Sequence, residues 1–305
     1  MTDLYRGDGV PPNGDSDEAY PYLADERLVR AVNMAATLGR PLLVKGPPGC
    51  GKTRLAGAVA TEMGLPLYEW YVKSTSRARD GLYSIDVVRR IQDAQMHDRR
   101  AQRLRNYVHF GPLGEALRAP GRSVVLIDEI DKADIDFPND LLRELEEATF
   151  SIEELSPGDL DAEDAAVGFR HTYEAEERPV VIITSNDEKE LPDAFLRRCL
   201  FHYIDFPDAT QLRRIVEVNT RGMDIARDLV ERAVDRLREI RELGEYRKAP
   251  ATSELIDWVR VLYHWGVAVE ELDGARELVD LPYWEVLFKH FQDQQQFHRA
   301  ARSPE

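Results

Sequence analysis

One octapeptide limits what this 305-residue chain can fold into: Gly46-Pro47-Pro48-Gly49-Cys50-Gly51-Lys52-Thr53. It fills every fixed position of the phosphate-loop pattern Gly-x-x-x-x-Gly-Lys-[Ser/Thr]. Glycines let successive backbone N–H groups turn inward around an anionic phosphate. The lysine, here Lys52, reaches the β- and γ-phosphates, and the hydroxyl that follows, here Thr53, binds Mg²⁺. The loop needs a buried strand before it and, after it, a helix whose positive end faces the same phosphates. Pro41-Leu42-Leu43-Val44-Lys45 reads as that strand, and Arg54 to Ala60 as that helix. Gly46 through Arg54 is therefore the expected nucleotide-contacting segment.

A second landmark is Ser123-Val124-Val125-Leu126-Ile127-Asp128-Glu129, an apolar β-run ending in two adjacent carboxylates. Successive side chains on a strand point to opposite faces, so the two acids cannot do the same job. Asp128 is placed for the Mg²⁺ shell, and Glu129 to orient and deprotonate a water aimed at the γ-phosphate. A third run, Pro179 to Asn186, ends in an amide that can bond the attacking water or the γ-phosphate.

Five apolar runs (41–45, 67–73, 123–129, 179–186 and 201–206) alternate with helical patterns. That alternation argues for a mostly parallel, five-stranded sheet in a three-layer α/β core, spanning 20–207. From Pro207 the pattern turns helical: Ile225, Leu229, Ala233 and Leu237 repeat every four residues, and Leu255, Ile256, Val259 and Leu262 mark another stripe. Residues 208–290 are thus expected to form a small α-helical lid domain, with a last helix from Leu281 through Trp284 and Leu287. Residues 1–19, with little to bury, read as a flexible lead-in, and 291–305 as a polar, fraying tail. Asp25 is the expected N-cap of a helix that Gly39 stops; Tyr22 and Leu23 read as core packing, with contact to the nucleotide base as the sharper alternative for either. A helix is expected over 85–100, and the basic segment 98–105 reads as a solvated helix face, with contact to an acidic neighbour as the sharper alternative. The acidic stretch 153–178, after a hairpin beginning at Phe150, reads as a projecting loop in which His171 is a surface residue.

The net charge of −16 argues against a protein built to wrap nucleic acid. No apolar run approaches a membrane span. With two cysteines, Cys50 inside the phosphate loop and Cys199, a reduced cytoplasmic setting is expected, and no His/Cys cluster suggests zinc.

Together these blocks resemble the MoxR family of AAA+ ATPases, over roughly residues 20–290. The telling parts are Val125 to Asp134, Phe137-Pro138-Asn139-Asp140-Leu141-Leu142, and Thr184-Ser185-Asn186 followed by Leu191 to Arg198. The resemblance implies ATP as the nucleotide, which the residues alone do not separate from GTP. It implies a Walker A pair in Lys52 and Thr53, a Walker B pair in Asp128 and Glu129, and sensor 1 in Asn186. It makes Arg198 the best match to an arginine finger serving the next subunit, with Arg197 as the adjacent alternative. A ring of identical subunits follows, a hexamer in this family, with the segment 111–117 and the hairpin after Phe150 facing its pore. Remodelling of a protein partner is the implied activity, since ATPases of this family often act with proteins bearing a von Willebrand factor A-type domain, and a slow assembly switch is the alternative. Where the family carries a sensor 2 arginine, this chain has Arg247-Lys248-Ala249-Pro250-Ala251-Thr252-Ser253, with no arginine at the matching place.

Overall fold

The computed structural model describes residues 4–15, 20–156, 158, 160–244, 246–275 and 277–301. Helix α1 (Glu26–Leu38) starts where the Asp25 carboxylate accepts from the Leu28 N–H at 2.7 Å and ends at Gly39, whose φ of 62° closes the last turn. Strand β1 (Leu42–Lys45) leads into the phosphate loop and α2 (Lys52–Met63). Then come β2 (Leu67–Tyr71), β3 (Tyr83–Ile85), α3 (Val87–Gln95), β4 (Val108–Phe110), α4 (Pro112–Arg118) and β5 (Val124–Asp128). The core closes with α5 (Phe137–Asp140), α6 (Leu142–Glu147), β6 (Thr149–Ser151), α7 (Ala162–Ala166), β7 (Thr172–Glu174), β8 (Val180–Ser185), α8 (Asp193–Leu196) and β9 (Leu200–Tyr203).

The five expected strands form one sheet in the order β2-β5-β8-β1-β9, every neighbouring pair parallel. Because side chains alternate along a strand, the sheet divides its residues between two cores. Leu42, Val44, Val124, Leu126, Val180 and Ile182 pack with α1 and α2. Leu43, Val125, Ile127, Val181 and Ile183 pack on the other face with Leu113, Leu117, Phe137, Leu141 and Phe195. Burial on both faces explains why these strands read as continuous apolar runs.

Two hairpins stand off this sheet, β3–β4 and β6–β7, both antiparallel. Their rings meet: Phe110 lies 5.4 Å from Tyr173, Phe150 5.1 Å from Tyr173, and the Arg118 guanidinium sits 3.7 Å over Phe110. The expected single helix over 85–100 ends at Gln95, and the basic segment behind it is a pair of short turns, not a helix face. Arg103 pairs with Asp161 and Glu163, and Arg105 with Asp164 at 2.8 Å. The acidic stretch is thus the acidic neighbour, partly folded as α7 and β7, not a bare loop. His171 bonds the Thr172 hydroxyl at 2.8 Å. Among the described residues no group of histidine, cysteine and carboxylate side chains could hold a metal by itself.

The C-terminal region builds its own core from α9 (Ala209–Asn219), α10 (Arg227–Glu242), α11 (Thr252–His264), α12 (Val269–Gly274) and α13 (Phe291–Ala300). Two expectations are corrected. Residues around Trp284 make only a 3-10 turn, and the last helix is α13, inside the stretch read as a fraying tail. Phe297 is fully buried, 4.8 Å from the Trp284 ring and 5.1 Å from Phe288. Asp293, also buried, accepts from the backbone N–H groups of Arg247 and Lys248 at 2.8 and 3.2 Å. Phe297→Ala is expected to destabilise this region by about 3–5 kcal/mol, since a buried aromatic leaves a cavity. A lower urea midpoint would register it, and an unchanged midpoint would show α13 to be peripheral.

The N-terminus is also better anchored than its composition suggests. Tyr5 is buried, and its backbone N–H donates to Asn33 at 3.0 Å. The buried Glu62 carboxylate, at the end of α2, accepts from the N–H groups of Arg6, Gly7 and Gly9. Residues 4–15 therefore pack on the body instead of forming a loose lead-in; 1–3 and 16–19 lie outside the described residues.

Candidate active site

The phosphate loop adopts the backbone its glycines allow. Gly49 and Gly51 have φ of 80° and 90°, in the left-handed region where other residues are strained. The buried Lys52 turns its ammonium into the loop, donating to the carbonyls of Gly46 and Pro47 at 2.7 and 3.1 Å. Pro48 through Arg54 line a cleft of about 1170 Å³ between the sheet and the helical region. Cys50 also lines it, and burial pushes its thiol above the ordinary range. Alkylation of Cys50 is therefore expected to be slow at neutral pH, to quicken as pH rises toward that thiol's pKa, and to block nucleotide binding. Cys199 is buried and pushed up to about 12, so one label per chain is expected in the folded protein. A modified chain that still binds nucleotide would place Cys50 away from the phosphates.

Register brings the acids to the loop. Ile127 of β5 pairs with Ile183 of β8, so Asp128 and Thr184 sit one position further along, side by side. The Thr184 hydroxyl donates to Asp128 at 2.6 Å and accepts from the Glu129 N–H at 2.8 Å. The Thr53 hydroxyl donates to the same Asp128 carboxylate at 3.0 Å. Asp128 is buried and Thr53 is open to the cleft. A hydroxyl and a carboxylate at this spacing are hard oxygen donors, the set that suits a Mg²⁺ sharing its shell with water and phosphate. The residues thus fit the metal the motif implies.

Glu129 leaves the strand in a left-handed conformation, φ 57°, that turns its side chain away from Asp128 toward the strand-end amide. Asn186 Nδ2 donates to Glu129 Oε1 at 2.8 Å, and the Lys132 ammonium pairs with Oε2. The expected base and the expected sensor therefore touch each other, and both line the cleft with Lys52, Thr53 and Asp128. Asp131, buried, pins the Asn186 turn by accepting from the N–H groups of Asn186 and Glu188 at 3.1 and 2.9 Å. Thr184, Asp131 and Lys132 lie within the quoted blocks but were given no role there: Thr184 reaches Asp128 through strand register, Asp131 pins a turn distant in sequence, and Lys132 pairs with Glu129 one helical turn away.

At the base end, Tyr22 and Leu23 both line the cleft, with Tyr22 buried against Gly51. Arg54, on the cleft wall, donates to Asn219 of α9 at 2.7 Å and lies 5.5 Å over the Tyr20 ring, bracing core against helical region. In the sensor 2 stretch, Arg247 and Lys248 do not line the cleft. The first turn of α11 does, through Thr252 and Ser253, and a side chain on Gly49 would collide with the Ser253 hydroxyl. Arg197 and Arg198 do not line their own chain's cleft either. Arg198 donates to Glu146 at 2.6 Å, while Arg197 is exposed and makes no ion pair among the described residues.

Strand order decides the class. The strand bearing the phosphate loop is separated from the strand bearing the acid pair by β8, which delivers Thr184 and Asn186 to the gap between them. With a helical region closing the cleft, this is the plan of a phosphate-loop nucleoside triphosphatase. The chain belongs to the family of ATPases associated with various cellular activities, whose model matches residues 42–207. It is similar to the ATP-dependent zinc metalloprotease FtsH of Nitrosococcus oceani, 26% identical over 218 residues covering 70% of this chain and 28% of that protein. It is also similar to protein NorQ of Paracoccus denitrificans, 37% identical over 78 residues, and to the denitrification regulatory protein NirQ of Stutzerimonas stutzeri, 37% identical over 96 residues. Those two matches cover 26% and 31% of this chain, and 26% and 29% of the relatives' own lengths.

Proposed function

We propose that the protein binds ATP with Mg²⁺ in this cleft, hydrolyses it at the interfaces of a ring of its own copies, and uses the cycle to remodel a protein partner. The observation that carries this is the convergence of Thr53, Asp128, Glu129 and Asn186 on one wall, beside the Lys52-centred loop. Thr53 and Asp128 would hold Mg²⁺, which neutralises charge on the phosphates when bound. Lys52 would leave the Gly46 and Pro47 carbonyls for the β- and γ-phosphates. Glu129 would accept the proton of a water that Asn186 helps to orient. Two arginines next to α8 lie outside their own cleft, which is what a residue supplied in trans requires. Membership of the MoxR branch is supported by the matched stretches in NorQ and NirQ and by the sequence blocks around Asp128 and Asn186. A hexamer and a partner with a von Willebrand factor A-type domain belong to the same reading. Among the described residues no helix is long and apolar enough to cross a membrane, and the partner is sought in a cytoplasmic setting.

A second reading is an assembly switch with slow turnover. It is favoured by the α11 turn over Gly49, which offers Ser253 and Glu254 where the family carries an arginine. Steady-state phosphate release, with and without the candidate partner, separates the two. Sustained and partner-stimulated turnover supports the remodelling cycle, whereas assembly on ATP with a turnover that the partner leaves unchanged supports the switch.

A further inference from the structure

The segment after α8 is held from two sides. From one side the Arg40 guanidinium, beyond the end of α1, donates to the backbone carbonyls of Arg197, Arg198 and Cys199, at 3.0 Å to Arg198. From the other side Glu146, on α6, accepts from Arg198 Nε at 2.6 Å, and Arg198 also caps the Ala194 carbonyl at 3.0 Å. Arg40 therefore fixes where the backbone lies, and Glu146 fixes where the guanidinium points. Neither interaction reaches the cleft of the same chain.

An arginine that serves a neighbour's phosphate must cross a gap between subunits as a long, flexible side chain. Left free, it loses several rotors when it docks. A carboxylate on Nε and a carbonyl on one terminal nitrogen remove most of that freedom in advance, and the remaining terminal nitrogen still carries donors for an anion. The pair is half exposed, so it biases the side chain by a factor of a few and does not trap it. We propose that Glu146 is the positioning residue for Arg198, holding the finger in its trans-acting orientation. The proposal rests on the reading of Arg198 as the finger. It also ties that finger to α6, the helix that runs directly into the β6–β7 hairpin.

Mixed assemblies test it. A Lys52→Ala subunit cannot use its own cleft but still offers a finger, and an Arg198→Ala subunit offers a cleft but no finger. Phosphate release from the mixture comes from the finger of the first serving the cleft of the second. Glu146→Ala placed in the finger-donating subunit is expected to lower that release by about threefold to fivefold, and Glu146→Gln, which keeps an acceptor oxygen, to restore much of it. The same Glu146→Ala in the cleft-donating subunit is expected to cost little. Equal loss in both placements would mean a general structural role, and no loss in either would mean no role; both overturn the proposal. If the parent mixture recovers no activity although mixed assemblies form, the finger reading itself fails, and the proposal falls with it.

Discussion

Glu129→Gln is expected to lower the rate of ATP hydrolysis by a hundredfold or more while ATP binding stays within about threefold of the parent protein. General bases contribute about 10²–10⁴ to a rate. The local geometry explains why the loss should fall on chemistry and not on folding. Gln keeps an acceptor oxygen for the Asn186 amide that bonds Glu129 at 2.8 Å, and it asks nothing new of the left-handed backbone there. Only the proton acceptor and the Lys132 ion pair are lost. Asp128, Thr53 and Lys52 keep their partners, so the nucleotide and metal contacts remain. The measurements are phosphate release at saturating ATP and direct titration of a fluorescent nucleotide. Turnover within tenfold of the parent would move the base assignment to another group, and lost binding would move Glu129 into the binding set.

Arg198→Ala carries the second large expectation: a loss of about a thousandfold or more in hydrolysis, the range seen when an arginine finger is removed. Arg197→Ala is the internal control, because its side chain is exposed and makes no ion pair among the described residues. If Arg197→Ala is the more damaging change, the roles are exchanged. Binding should survive Arg198→Ala, since that residue does not line its own cleft. Activity should return in part on mixing with Lys52→Ala chains. A substitution that abolished activity and could not be rescued in verified mixed assemblies would place Arg198 in its own subunit's chemistry.

The grouping of the candidate site was largely legible in the sequence, because each main group sits at a fixed offset from a strand end. Lys52, Thr53, Asp128, Glu129 and Asn186 could be named before any coordinates, and the fold places all five on one cleft. What surrounds them was not legible. Thr184 reaches Asp128 only through the pairing of β5 with β8, and Asp131 earns its place by pinning a turn far along the chain. Arg54, expected at the nucleotide, lines the cleft and there also bonds Asn219, a contact that depends on where α9 docks. The same limit explains both termini. Tyr5 and Glu62 are buried by partners distant in sequence, and α13 buries Phe297 in a mostly polar stretch whose other aromatic, Phe291, is exposed. Periodicity detects a face; it does not detect a single anchor.

The pairing of the two hairpins has a mechanical consequence. The aromatic contacts among Phe110, Phe150 and Tyr173 are apolar and insensitive to ions. The bridge from Arg103 to Glu163 runs between partly exposed charges, which salt weakens, whereas the Arg105–Asp164 pair is largely buried and salt reaches it less. One joint is thus a pivot and the other a catch. The two hairpins are therefore joined at both places, and concentrated salt is expected to weaken chiefly the Arg103 bridges while the rings and the Arg105–Asp164 pair hold.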